Sequence, residues 1–165
     1  GLTWRGVDMS KGTKTNAMRI LDRMKIPYRV IQYECDEFID GLHTAQKTGA
    51  PVEQSFKTLV TRGKSGQYYV VVIPIAEEVN LKNAAKLAGE KSLEMIHVKE
   101  ITGITGYVRG GCSPIGMKKQ FPTFIHESAM QYSEIYISGG RIGTTLCLSP
   151  TDLLTACEGT YGNLT

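Results

Sequence analysis

The chain has 165 residues, the size of one ordinary domain. Its 41% apolar and 21% charged content sits near the globular average and far from the profile of a disordered chain. No apolar run reaches the ~18 residues that a membrane-spanning helix needs. A formal net charge of +3, from 19 Lys and Arg against 16 Asp and Glu, excludes a strongly basic nucleic-acid coat but allows a small phosphate-contacting site.

Gly1 to Asp8 read as an expression remnant ahead of a natural start at Met9-Ser10-Lys11, so the domain is taken as residues 9–165. From Thr15 to Lys25, Ala17, Met18, Leu21 and Met24 recur at three- and four-residue spacing, the pattern of an amphipathic helix that Pro27 stops. Tyr28 to Tyr33 reads as a strand, and Leu42 to Thr48, closed by Gly49, as a helix. Phe56 to Arg62 and Tyr68 to Ile73 flank Gly63-Lys64-Ser65-Gly66, the signature of a hairpin turn. Leu81 to Ala88, between an Asn80 cap and Gly89, predicts a short helix. Leu93 to Val98, Glu134 to Ser138 and Thr144 to Leu148 predict strands, and Ser149-Pro150 opens a last helix. Strands and helices interleave without even βα spacing. The expectation is one α+β domain whose mixed, mostly antiparallel sheet curls into a partial barrel with flanking helices.

The N-terminus leads into no apolar signal region, and Cys35, Cys112, Cys147 and Cys157 form no C-x-x-C pair. Both features point to a cytoplasmic protein with reduced thiols and no metal site. Neither G-x-x-x-x-G-K-[ST] nor G-x-G-x-x-G occurs, nor H-E-x-x-H, nor a G-x-S-x-G elbow, which disfavours P-loop, dinucleotide, zinc-protease and serine-hydrolase chemistry. No cofactor is implied.

Three places carry chemistry. Between Gly103 and Lys119, five glycines fall within 14 residues and two lysines close the segment. Such a density serves either tight turns or main chain brought close to a ligand, where Arg109, Lys118 and Lys119 would suit a phosphate or an oxyanion. Ser138-Gly139-Gly140-Arg141-Ile142-Gly143 is either a hairpin loop or the facing wall of the same pocket. Lys57, early in an apolar strand, points either to solvent or into a cavity.

Taken in order, Tyr33-Glu34, Phe56-Lys57-Thr58-Leu59, Gly106 to Gly116 with its Gly110-Gly111-Cys112-Ser113-Pro114-Ile115-Gly116 stretch, and Tyr136-Ile137-Ser138-Gly139-Gly140 resemble the YbaK-type aminoacyl-tRNA deacylases. The likeness runs from about Thr15 to Leu154 and implies a cytosolic trans-editing enzyme, most of all one acting on Cys-tRNA(Pro). It implies that Lys57, Gly110, Gly111 and Ser138 are catalytic. It also implies that Tyr33, Arg109, Ser113, Gly139 and Thr145 bind substrate. Many cysteinyl-specific members carry Asp where Thr145 stands here. The resemblance further implies that the cysteinyl thiol attacks its own carbonyl, so that the protein need only orient it and stabilise the oxyanion. A deacylase for alanyl-tRNA using activated water and a non-catalytic tRNA-binding module remain alternatives. The implied partners are the CCA end of aminoacyl-tRNA and a prolyl-tRNA synthetase that delivers it. With two or three loop cations and Lys57 on phosphates, binding should weaken with salt at a log–log slope of roughly −2 to −3, about −0.7 per contact.

Overall fold

The computed structural model describes residues 2–4, 14–34 and 41–165. Helix α1 (Asn16–Arg23) starts where Thr15 accepts from the Met18 N–H, and it buries Ala17, Met18 and Leu21. It ends before Pro27 is reached, because Lys25 already takes a left-handed φ of +61°. Helices α2 (Gly41–Thr48) and α3 (Leu81–Ala88) follow. The predicted Asn80 and Ser149 caps both form, the second opening α5 (Pro150–Cys157). A one-and-a-half-turn helix, α4 (Ile101–Thr105), precedes the glycine-rich segment.

Among the described residues, nine strands make two sheets. The first has the order β1 (Leu2–Trp4), β2 (Arg29–Gln32), β8 (Thr144–Leu148), β7 (Ile135–Ser138), all antiparallel. Leu2–Trp4, set outside the fold by the sequence reading, thus pairs with β2, Leu2 opposite Ile31. The second has the order β5 (Leu93–Met95), β3 (Phe56–Gly63), β4 (Tyr68–Pro74), β6 (Thr123–His126), β9 (Gly159–Gly162). Here β6 lies parallel to both its neighbours. The α+β class is the expected one, with the curl carried by two sheets that meet where Ser55 bridges Tyr136.

The strand expected over Leu93 to Val98 stops at Met95, since Val98 begins a turn of 3-10 helix. The alternation of β3 and β4 divides the interior. Phe56, Val60, Val70 and Val72 join the main core with α1, β7 and β8, while Tyr69, Val71 and Ile73 face α3 and the buried Leu164. No helix of the described residues is long and apolar enough to cross a membrane.

Candidate active site

The first half of β3 has β4 along one edge and an open gap along the other. At its start Ser55 bridges β7, and from Thr61 onward β5 closes the edge. The Ser55 carbonyl faces the β4 side, where it accepts from the Ile75 N–H at 2.9 Å. The Val60 carbonyl faces the other way, accepting from the Ile96 N–H at 3.2 Å. Alternation along a strand therefore turns the backbone N–H and C=O of Thr58 into the gap. A cavity of about 550 Å³ fills it, within the ~300–1,000 Å³ range of small-molecule sites.

Of the residues singled out from sequence, Tyr33, Lys57, Arg109, Gly110, Ser138 and Thr145 line this cavity. They come from β3, from the loops after α4 and β2, from the end of β7 and from β8. Lys57 is half-buried, and beside it the Thr58 hydroxyl is buried without a hydrogen-bond partner. Buried polar atoms are rarely left unpaired, so this orphan, one residue from the lysine, makes Thr58 a candidate ligand contact, a residue the sequence reading quoted in its motif but did not single out. Lys57 and Arg109 are the cations of the described wall, and its polar remainder is hydroxylic: Tyr33, Thr58, Tyr136, Ser138, Thr144 and Thr145 among others.

Gly111, Ser113 and Gly139 do not line the cavity. The Gly111 N–H donates to the Val108 carbonyl at 2.9 Å, which removes it as a donor to a ligand. A Cβ on Gly111 would lie 2.7 Å from Arg141 Cα and 3.0 Å from the Ile142 nitrogen. Its lack of a side chain therefore lets the two glycine-rich loops touch directly. Ser113 is fully buried, its hydroxyl accepting from the Ile115 N–H at 3.3 Å. The Gly139 N–H donates to the Thr144 carbonyl at 2.9 Å, while its own carbonyl accepts from the Thr15 hydroxyl at 2.6 Å. These three residues frame the wall that Gly110, at φ +84°, presents. Tyr107 braces the same seam: its hydroxyl donates to the Ile115 carbonyl at 2.6 Å, its ring lies against Gly140, and burial pushes its phenol up to about 12.

Cys112 also lines the cavity, and burial pushes its thiol up to about 11, so at neutral pH it is protonated and a poor nucleophile. Cys147 and Cys157 are buried and free; Cys35 lies outside the described residues. Among the described residues no cluster of three His, Cys, Asp or Glu side chains could hold a metal ion.

The family model for the aminoacyl-tRNA editing domain matches residues 42–156, which include Lys57, both glycine-rich loops and Thr145. The chain belongs to that family. It is 43% identical over 153 residues, 92% of this chain and 93% of the other, to a protein of Enterococcus faecalis named as a candidate Cys-tRNA(Pro)/Cys-tRNA(Cys) deacylase, EbsC. Among solved structures, one described as a candidate trans-editing enzyme for prolyl-tRNA synthetase aligns with a TM-score of 0.78 at 23% identity, covering 93% of this chain and 99% of that one. A hypothetical protein aligns with a TM-score of 0.83 at 21% identity over 90% of this chain and 98% of its own. At that identity the two structures speak to the fold of the editing domain alone.

Proposed function

We propose that this editing domain is a deacylase that cleaves the ester linking a wrongly attached small amino acid to tRNA, with Cys-tRNA(Pro) as its main substrate, in the cytoplasm. The observation that carries this reading is the convergence of Lys57, Thr58, Gly110 and Ser138 on one cavity in a chain of this family. The Enterococcus relative, a protein named as a candidate Cys-tRNA(Pro)/Cys-tRNA(Cys) deacylase, supports it.

Hydrophobic pockets separate side chains of similar size by only ~10–200-fold, so a synthetase for a small amino acid needs a second sieve. In the proposed reaction the cysteinyl sulfur forms a bond to its own carbonyl carbon, giving a thiolactone. The ester C–O bond breaks and the thiol proton passes to the departing 3′ oxygen of the tRNA; water then opens the thiolactone. The thiol of a free cysteine titrates at ~8.5, and a cavity carrying Lys57 and Arg109 favours its thiolate. Lys57 also opposes the charge that develops on the carbonyl or leaving oxygen. Gly110 main chain and the Thr58 and Ser138 hydroxyls complete the polar surround. A hydroxylic wall with two cations favours a nucleophile brought by the substrate over the alanyl route, which needs an activated water.

Deacylation of Cys-tRNA(Pro), Ala-tRNA(Pro) and Cys-tRNA(Cys) measured side by side tests the reading. Both cysteinyl esters should be cleaved at least tenfold faster than the alanyl ester. Faster cleavage of Ala-tRNA(Pro) would overturn the thiol route, and no cleavage of any ester would leave a binding module. Thr145 at the position where many cysteinyl-specific relatives have Asp makes this comparison the decisive one for amino-acid choice. Delivery by a prolyl-tRNA synthetase is part of the proposal, and added synthetase should lower the KM for Cys-tRNA(Pro) but not for Cys-tRNA(Cys).

A further inference from the structure

Ser138 enters the cavity from the end of β7, and what holds it there comes from the other end of the chain. The Gly139–Gly140 peptide group follows it. The carbonyl of that group accepts from the Thr15 hydroxyl at 2.6 Å. Its N–H, on Gly140, turns back and donates to the Ser138 hydroxyl at 3.4 Å, a serine turn. Thr15 in turn accepts from the Met18 N–H at 3.3 Å as the cap of α1. The Met18 N–H, the Thr15 hydroxyl, the Gly139–Gly140 peptide and the Ser138 hydroxyl therefore form one directional chain, each donating to the next. Thr15 is buried, and its reach depends on bare main chain: a Cβ on Gly140 would lie 2.9 Å from Thr15 Cβ. Asn16 beside it donates to the Gly116 carbonyl at 2.7 Å, so the start of α1 is pinned to both glycine-rich loops.

We infer that Thr15 is a positioning residue for deacylation, one that sets the Ser138 hydroxyl as a hydrogen-bond donor toward the substrate. The inference rests on the deacylase reading, in which Ser138 faces the ester. A serine hydroxyl has one proton and two lone pairs. The Gly140 N–H occupies one lone pair, and among the described residues no protein group accepts the proton, which leaves it for the cavity that Ser138 lines. Hydrogen bonds in series polarise one another in a buried setting, so a hydroxyl that accepts from this chain is the stronger donor. Thr15 itself does not line the cavity and acts on the substrate only through Ser138. Without its proton the Gly139 carbonyl loses the partner that fixes the peptide plane, and the Gly140 N–H is no longer aimed at Ser138.

The test is a double-mutant cycle on the full chain, read as deacylation of Cys-tRNA(Pro) per folded molecule, with the Gly140 amide followed by NMR hydrogen exchange. Thr15→Val keeps the branched shape and removes the hydroxyl. It should lower kcat about tenfold, the kinetic equivalent of one hydrogen bond, with KM within about twofold of wild type. Thr15→Ser should hold kcat within about twofold of wild type. Thr15→Asp still caps α1 but, ionised, has no proton to give, so it should lose kcat as Thr15→Val does. Ser138→Ala should lose at least as much, and adding Thr15→Val to it should cost nothing further; a cap that served folding alone would multiply the two losses. In the free protein the Gly140 amide should exchange about tenfold faster in Thr15→Val than in wild type. Multiplied losses, a wild-type kcat in Thr15→Val or Thr15→Asp, or a Gly140 amide as protected in Thr15→Val as in wild type overturns the assignment. A wild type that cleaves no misacylated tRNA removes the deacylase reading, and the Gly140 amide alone then sustains or overturns the chain from Thr15 to Ser138.

Discussion

Two threonines three residues apart on β3 have opposite surroundings. Thr61 is fully buried and its hydroxyl donates to the Tyr69 carbonyl at 3.0 Å. Thr58 is in the same strand, and its hydroxyl has no partner. Strand alternation turns the two side chains to opposite faces, Thr61 toward Tyr69 and the α3 side and Thr58 toward the main core, and the two halves of the strand also differ along their outer edge. Beyond Thr61 the strand is paired on both edges, Arg62 bridges Glu94 and Glu100, and the hairpin is tied down by Glu90. Before it, the outer edge opens on the cavity. One half of β3 is frame, with no buried side-chain polar atom left unpaired. The other half carries the one buried side-chain polar atom that is unpaired among the described residues, beside the cavity.

This contrast can be broken most forcefully at Lys57. Lys57→Ala should lower deacylation of Cys-tRNA(Pro) by about 10²-fold or more, the usual size of losing one charge-stabilising group, with the melting temperature unchanged. Retained cleavage by the folded variant would end the assignment. The threonine pair sharpens the comparison, because isosteric changes should act in opposite ways. Thr58→Val should cut the rate about tenfold while stability stays level or rises, since a buried hydroxyl without a partner is replaced by a methyl group. Thr61→Val should leave the rate per folded molecule unchanged and cost about 1 kcal/mol, seen as a melting temperature roughly 2–4 °C lower. If both variants lose stability alike, the two halves of the strand do not differ as argued.

The smallest effect belongs to the hairpin end. The Ser65 hydroxyl, at 2.5 Å, followed by the Tyr69 phenol and the Ser65 N–H, holds the Glu90 carboxyl below the usual carboxylate range. A lowered folded-state pKa means that the ionised group stabilises the fold above the unfolded value of ~4.3, and that this contribution fades as pH falls through the lowered one. Glu90→Gln should therefore melt slightly below wild type at pH 7, and the two curves should converge near pH 3. An equal gap at both pH values would show that the carboxylate charge is not what matters there.

How much of this was legible in the chain depends on the kind of signal. Capped helices with clean periodicity, α1, α3 and α5, were readable because Thr15, Asn80 and Ser149 satisfy local N–H groups whatever the rest of the protein does. Strands β6 and β9 were not. Thr123–His126 has strand-favouring Thr, Phe and Ile but is only four residues long after a proline, and Gly159–Gly162 begins and ends in glycine, which disfavours a strand. Only their parallel register against β4 and each other makes them strands. At the site, Lys57, Gly110 and Ser138 were visible as motif positions. That a glycine motif contains both wall and frame was not. Gly110 and Gly111 are neighbours of one residue type, and a contact with Arg141 and Ile142, thirty residues later, separates their uses. The orphan hydroxyl of Thr58 was equally silent, because absence of a partner is a property of the assembled strand.

The position of Leu164 bears on the order in which the molecule is completed. It is fully buried in the smaller core, and its carbonyl accepts from the Asn80 N–H at 2.6 Å. Every residue of the cavity wall lies at or before Thr145. A growing polypeptide has therefore made the whole cavity lining while α5, β9 and the Leu164 plug are still missing, and proteolytic loss of the last few residues should loosen the α3 side of the molecule before it reaches the pocket.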